Sequence, residues 1–246
     1  MVGVVVNVIS VFLGGILGTA LKSQITPDFS AKLNLIFGIC AIGMGIPSII
    51  QMVNMPAVII AMVLGSAIGI ILHIGEQIAK GGERLGGLMG KLIKQEHSLS
   101  MPHQEYISLL VTALVLFCSS GSSIFGCIDA GITGDSTILI SKSILDLFTA
   151  MVFACSIGPV IATIAVPKLI IFLFLFFSAR FIYPLTTPEM IGDLKACGGF
   201  ILIATGYRIA KMRDFPVADM LPAMILVMPL SALWATYINP LLSVLG

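Results

Sequence analysis

The chain has 246 residues, of which 58% are hydrophobic and 10% are charged, and its formal net charge is +1. A soluble core cannot absorb this much apolar side chain, so the composition excludes a soluble globular domain. It predicts an all-α polytopic membrane protein, formed as a single transmembrane domain over residues 1–246.

Eight segments are apolar and long enough for a helix to cross a bilayer, which takes about 20 residues. The first is expected to remain as a membrane span because it lacks the basic flank of a signal peptide. Gly158, Pro159 and Pro167 lie around the boundary between the fifth and sixth spans, where such residues end or kink helices. The predicted spans are 3–21, 33–51, 56–74, 106–126, 138–158, 163–183, 193–210 and 219–243. In the first and third, Gly14-x-x-x-Gly18 and Gly65-x-x-x-Gly69 predict close helix packing, inside one subunit or between two.

The lysine and arginine residues predict which loops face the cytoplasm, because cytoplasmic loops carry an excess of both. Basic residues concentrate in the connections after the first, third and seventh predicted spans. With eight spans, this distribution places those connections inside and both termini outside. The second of these connections covers 75–105, and within it residues 75–98 combine an apolar stripe with a basic face. This pattern predicts an amphipathic helix on the cytoplasmic leaflet.

A short motif occurs twice and indicates an internal repeat. Thr26-Pro27-Asp28 has a counterpart in Thr187-Pro188-Glu189, 161 positions later. Both resemble helix starts, in which threonine caps, proline takes the first position and the acid complements the helix dipole. The same register aligns Leu33 with Leu194, Gly38 with Gly199, Ile42 with Ile203, Gly45 with Gly206 and Ala57 with Ala218.

The repeat and the predicted orientation together suggest an architecture. Repeat 1 (residues 1–74, spans 1–3) and repeat 2 (161–246, spans 6–8) would be inverted relative to each other, around a central helix pair at 106–160 that contains a broken helix. Inverted repeats take two related conformations in which the halves exchange roles, which is the physical basis of alternating access. Duplicated scaffolds also occur in channels and assembly factors, so these alternatives stay open.

The most unusual segment interrupts the fourth span with five small residues, from Ser119 to Ser123. Such residues let helices approach closely and can leave carbonyls and hydroxyls facing a cavity. Lys142 and Asp146 follow, one helical turn apart on one face of the fifth span. The candidate substrate- or ion-binding residues are Asn7, Ser119, Ser120, Gly121, Ser122, Ser123, Asp129, Asp135, Lys142 and Asp146.

Each polar feature also has a structural interpretation. Lys142 and Asp146 can form an ion pair that only holds the fifth span against the fourth, and Asn7 suits a hydrogen bond between helices. Asp129 and Asp135, beside glycines, suit a solvated outer turn. An intramembrane charge costs roughly 2.5–3.5 kcal/mol on insertion scales, which favours a functional role for the cluster.

As a binding site, this polar centre fits two chemistries. Its carboxylates, with serine hydroxyls and backbone carbonyls, suit a cation or a relay of protons. Alternatively, Lys142 and the helix N-termini exposed at the break suit a metabolite that carries a carboxylate. The sequence does not choose between the two.

Two blocks of the chain carry a resemblance to a known family. Residues 125–135 read Phe-Gly-Cys-Ile-Asp-Ala-Gly-Ile-Thr-Gly-Asp, and residues 141–146 read Ser-Lys-Ser-Ile-Leu-Asp. Together with the first span and the overall length, they resemble the YqgA/YdfK-type family of bacterial inner-membrane proteins, over essentially the whole chain. The resemblance implies a multi-pass protein of a prokaryotic plasma membrane. It implies neither a substrate nor a site.

These features predict a small secondary transporter that moves a small solute or ion by alternating access. The alternatives are an ion channel and a non-transporting membrane scaffold. The sequence shows no arrangement of nucleophile, base and acid, so we expect no enzyme and no cofactor, and a metal site is left open. The expected partners are the lipid bilayer, an unknown small solute or ion and a second copy in a homodimer, with no nucleic acid.

Overall fold

The structure of the chain, a computed structural model, describes residues 1–22, 26–81, 84 and 103–240. The secondary structure in these ranges is helical, with turns and no strand, which confirms the all-α expectation. The helices are α1 (Val2–Ala20), α2 (Pro27–Ile50), α3 (Met55–Ile71), α4 (Ile74–Gly81), α5 (His103–Ser119), α6 (Gly121–Thr133), α7 (Thr137–Ile157), α8 (Val160–Thr163), α9 (Ala165–Ile182), α10 (Pro188–Ile209) and α11 (Pro222–Leu233), which continues into a π-helical turn over Trp234–Ile238.

In the described ranges, five helical segments are long and apolar enough to cross a membrane, or six if the bent pair α3 and α4 forms one span. Each of the eight predicted spans contains a helix, but the eight-span count stays a prediction. One reason is α10, where Glu189, Asp193, Lys195 and Arg208 lower the hydropathy of an otherwise long helix. Another is α11, which has 12 residues.

Both repeated Thr-Pro-acid motifs begin a helix, as the sequence predicts. The hydroxyl of Thr187 accepts a hydrogen bond from the amide of Met190 at 3.3 Å. The hydroxyl of Thr26 accepts one from the amide of Phe29 at 3.2 Å. Because these caps set the starts, α2 and α10 begin six and five residues before the predicted spans at 33 and 193. The caps therefore place Asp28 in the first turn of α2 and Glu189 in the first turn of α10.

The chain divides into two compact units, of which unit 1 contains Met1–Asn34 and Glu76–Ala179. Its centre is α7, against which α1 packs through small residues. A Cβ atom at Gly14 would meet the backbone of Leu147, and one at Gly18 would meet the backbone of Met151. The predicted role of this Gly-x-x-x-Gly pair in close helix packing is therefore confirmed.

Unit 1 also contains the broken fourth span. Helix α5 ends at Ser119, Ser120 has an extended backbone, and α6 begins at Gly121. After α6 the chain turns back into α7 through Gly134, whose φ of +78° lies in the left-handed region that glycine adopts without strain. Beyond Gly81, the predicted amphipathic helix lies outside the described residues, except for Arg84.

Unit 2 contains Leu35–Gly75 and the chain from Arg180 onward. In it, α2 and α10 cross at glycines. A Cβ atom at Gly38 would lie 2.6 Å from the carbonyl oxygen of Gly206, and one at Gly45 would lie 2.6 Å from that of Gly199. As the position advances along α2, its neighbour recedes along α10, so the two helices are antiparallel.

Helices α3 and α11 meet in the same unit. A Cβ atom at Gly65 would meet Ala223, and one at Gly69 would meet the backbone of Asp219. The second predicted Gly-x-x-x-Gly pair thus also marks close helix packing. Asp219 further accepts a hydrogen bond from the amide of Gly75, at 2.7 Å. This bond ties the start of α4 to the segment before α11.

Candidate functional site

Asp146 is the centre of a buried ionic cluster in unit 1. The Nζ atom of Lys142, one turn earlier on α7, lies 2.6 Å from Oδ1 of Asp146. The Nζ atom of Lys168, on α9, lies 2.8 Å from Oδ2. The side-chain amide of Asn7, on α1, donates to the same Oδ2 at 3.1 Å. Three helices therefore converge on one carboxylate, and we call Asn7, Lys142, Asp146 and Lys168 the Asp146 cluster.

The burial of this cluster is nearly complete. Asn7 and Lys168 are 0% exposed, Asp146 is 4% exposed and Lys142 is 8% exposed. Removing one partner from a buried ion pair costs about 3–5 kcal/mol because the remaining charge is left uncompensated. The cluster is therefore a strong constraint on how α1, α7 and α9 pack.

Lys168 is a cluster member that the sequence patterns did not identify. Its ammonium lies 5.4 Å from the ring centre of Phe117 and 5.0 Å from that of Phe172. Aromatic faces attract a cation, so these rings favour the charged form of the lysine. Two features of the sequence could have identified Lys168. It is a charged residue inside the sixth predicted span, and it stands 161 positions after Asn7, the spacing of the repeat.

The serine segment forms the start of α6. The hydroxyl of Ser120 lies 2.7 Å from that of Ser123 and 3.3 Å from that of Ser122. It also accepts a hydrogen bond from the amide of Ser123, at 3.4 Å. Ser122 and Ser123 are buried, Ser119 is the last residue of α5 and Gly121 is the first of α6. The predicted break is thus a capped helix start inside unit 1.

The two other predicted aspartates differ in position. Asp129 lies within α6 and is 2% exposed, so the turn interpretation is wrong for this residue. Asp135 is exposed in the turn before α7, where its carboxylate accepts hydrogen bonds from the amide and hydroxyl of Thr137 at 2.9 and 2.6 Å. The turn interpretation is correct for Asp135. The structure brings Asn7, Lys142 and Asp146 together and leaves Asp135 apart from them.

A second polar cluster, in unit 2, was also missed. Asp193 is 0% exposed, and its Oδ1 accepts hydrogen bonds from the amides of Val53 and Asn54, each at 2.8 Å. Its Oδ2 accepts from the side chains of Asn54 and Ser231, at 3.0 and 2.6 Å. Asn239 in turn donates to Asn54 at 3.0 Å. These donors stabilise a buried carboxylate at the start of α3, where the helix dipole favours a negative charge.

The chemistry of the Asp146 cluster differs from that of an open carboxylate site. Both oxygens of Asp146 are occupied by ammonium groups, so a cation would have to displace a lysine to bind there. In the part of the chain that the structure describes, no group of three His, Cys, Asp or Glu side chains is placed to hold a metal ion. The cluster therefore presents positive rather than negative groups.

Comparisons with known proteins identify the family. A model described as "Protein of unknown function (DUF554)" matches residues 2–232. The chain is 42% identical to the "Uncharacterized protein YqgA" of Escherichia coli (strain K12) over 238 residues, covering 96% of this chain and 99% of that protein. It is 26% identical to the "Uncharacterized membrane protein YdfK" of Bacillus subtilis (strain 168) over 229 residues, covering 92% and 93%. No solved structure matches. The chain therefore belongs to the DUF554 family, as its resemblance to the YqgA/YdfK-type proteins implied.

Proposed function

We propose that the protein is a small secondary transporter that moves a small solute or ion across a prokaryotic plasma membrane by alternating access. The observation that carries this proposal is the Asp146 cluster. Ionisable side chains inside a membrane protein are costly, and they commonly mark substrate or ion pathways. A purely structural ion pair needs one lysine, whereas Asp146 contacts Lys142 and Lys168.

The contacts between α2 and α10 support an inverted repeat of residues 1–74 and 161–246. In the 161-residue register, the contact of Gly38 with Gly206 corresponds to that of Gly199 with Gly45, and both occur. Likewise, the contact of Gly45 with Ile203 corresponds to that of Gly206 with Ile42, and both occur. Equivalent, antiparallel helices that contact each other in this way are related by a two-fold axis perpendicular to them. Such an axis lies in the membrane plane if the helices span the bilayer.

The Asp146 cluster follows the same register. Asn7 and Lys168 are equivalent positions, and both donate to Oδ2 of Asp146. Both repeats therefore contribute to one buried carboxylate on α7, in the central helix pair between them. Transporter sites are typically built in this way, near the bilayer midplane from the inverted halves and an interrupted helix. The break at Ser120 supplies the interrupted helix.

The orientation is part of the proposal. The basic connections after the first, third and seventh spans face the cytoplasm, and both termini lie outside. The related YdfK of Bacillus subtilis is described as a membrane protein, which supports a membrane location for this chain.

Solute uptake tests the proposed function. Purified protein is first screened against metabolite pools by thermal shift, because a ligand that binds the folded state raises its apparent stability. Solutes that bind are then assayed for uptake and counterflow in proteoliposomes. Lys142→Met and Lys168→Met should each reduce saturable uptake about tenfold or more, equivalent to about 1.4 kcal/mol of lost binding. Lys32→Met is the matched control, since Lys32 is exposed and forms its ion pair with Asp28 in its own helix.

The outcomes separate the alternatives. Saturable uptake with counterflow that depends on Lys142 and Lys168 supports a transporter. Conductance without counterflow favours a channel, in which the serine segment lines a pore. If no solute or ion moves in any assay although the variants fold, the transporter proposal is wrong and the scaffold alternative gains support.

A further inference from the structure

We propose that the solute is a small hydroxylated monocarboxylate and that it binds at the Asp146 cluster, an inference that rests on the transport function proposed above. The cluster has two properties that together select this class of ligand. One is a positive charge that Asp146 does not compensate, and the other is a buried acceptor on Asn7.

The charge comes from two lysines that share one carboxylate. Nζ of Lys142 and Nζ of Lys168 bind different oxygens of Asp146, at 2.6 and 2.8 Å. One carboxylate compensates one ammonium, so the cluster has a surplus charge of about +1 when both lysines are protonated. Lys168 is 0% exposed, which means that water does not compensate it. An anionic ligand would neutralise the cluster.

The start of α6 adds a second attraction for an anion. The end of α5 lies beside Lys168, whose ammonium is 5.4 Å from the ring centre of Phe117, and α6 begins four residues after Phe117, at Gly121. The N-terminus of a helix carries a partial positive charge and exposed amide donors. A carboxylate at the break would therefore meet both the ammonium groups and this helix end.

Asn7 supplies the acceptor that specifies the ligand further. Its Nδ2 donates to Oδ2 of Asp146 and to the backbone carbonyl of Leu139, at 3.1 and 3.4 Å. Both partners only accept hydrogen bonds, which fixes the orientation of the amide. Its Oδ1 is buried and has no hydrogen-bond partner in the ranges that the structure describes. A ligand with a donor beside its carboxylate would satisfy this oxygen.

The surplus positive charge of the Asp146 cluster decides which donor group the ligand carries. An amino acid carries its donor as an ammonium, so it is neutral overall and leaves the surplus charge in place. A hydroxy acid carries a neutral donor and a net charge of about −1 near neutral pH, as its carboxylate is ionised. The hydroxy acid therefore satisfies both Asn7 and the lysines.

Matched pairs of acids test the inference with purified full-length protein. The probes are glycolate and acetate, lactate and propionate, and 2-hydroxybutyrate and butyrate, and the readouts are thermal shift and binding isotherms. At least one hydroxy acid should bind about tenfold more tightly than its partner, the effect of one buried hydrogen bond. Asn7→Ala should abolish this preference while the unhydroxylated acid still binds. Lys168→Met should weaken both acids about tenfold or more.

Three results would overturn the inference. They are the absence of binding for all six acids, binding that Lys168→Met leaves unchanged, and equal affinity within every pair. If a cation or protons move instead, and their movement depends on Lys142 and Lys168, then this inference fails and the transport function stands. If nothing moves, the transport function itself fails.

Discussion

Asn7 and Lys168 donate hydrogen bonds to the same oxygen of Asp146, at 3.1 and 2.8 Å, although they stand 161 positions apart in the chain. The two Thr-Pro-acid motifs are separated by the same number of residues. One position carries a neutral amide and the other an ammonium, so the two segments are related in position but differ in charge. The surplus charge on which the inferred ligand depends comes from this difference.

Charge balance in the Asp146 cluster predicts an unequal response to substitution. Asp146→Asn leaves two buried ammonium groups without a carboxylate and should lower the free energy of unfolding by about 3–5 kcal/mol. Lys168→Met leaves the neutral pair of Lys142 and Asp146, so it should lower that free energy by less than Asp146→Asn does. Thermal unfolding of the purified variants in detergent measures both.

The double variant is the control for this prediction. Adding Lys168→Met to Asp146→Asn removes one uncompensated ammonium, so it should recover part of the lost stability. Equal stabilities of Asp146→Asn and Lys168→Met would show that the lysines do not depend on this carboxylate.

The Asp193 cluster predicts a loss of stability that is separate from ligand binding. Asp193→Ala leaves the amides of Val53 and Asn54 without an acceptor and should cost about 2–4 kcal/mol, with Asp193→Asn intermediate since its remaining oxygen still accepts. Glu189→Ala, on the same helix but exposed, is the matched control and should destabilise the protein far less, because it loses only an interaction with the helix dipole. A loss for Glu189→Ala as large as that for Asp193→Ala would contradict the assignment.

The crossing of α2 and α10 predicts paired effects at equivalent glycines. Gly38→Ala and Gly199→Ala each place a methyl group against the opposite backbone and should destabilise the protein by about 1–3 kcal/mol, by similar amounts. At Gly43, a Cβ atom would meet nothing within 4 Å. Gly43→Ala should therefore stabilise α2 by about 0.5–1 kcal/mol. Unfolding that is equally sensitive at Gly43 and Gly38 would argue against this crossing.

The helical fold could be predicted largely from the sequence, because hydropathy and capping are local properties. The Thr-Pro-acid motifs marked the starts of α2 and α10, and the Gly-x-x-x-Gly pairs marked real contacts with α7 and α11. The number of spans was harder to predict from the sequence. Charged residues within α10 lower the hydropathy of this helix, so hydropathy alone does not mark it as a span.

The composition of the site was only partly predictable. Lys142 and Asp146 were evident because one helical turn separates them in the chain. Lys168 was missed because it reaches Asp146 from another helix, 22 residues away. Asp193 was missed for a related reason, since its partners at the start of α3 lie about 140 positions earlier in the chain. The turn interpretation of Asp129 failed because Gly131, which suggested a turn, instead lets α6 pack against the backbone of Phe176 on α9.

The most direct measurement for the account is the sidedness of two equivalent positions. Gln51 and Met212 are 161 positions apart, follow α2 and α10, and are both exposed. In a background without native cysteines, the Gln51→Cys and Met212→Cys variants are treated separately with a membrane-impermeant maleimide on intact cells. An inverted repeat predicts that the Gln51→Cys variant is labelled from outside and that the Met212→Cys variant is labelled only after permeabilisation. Labelling of both variants from the same side would contradict it.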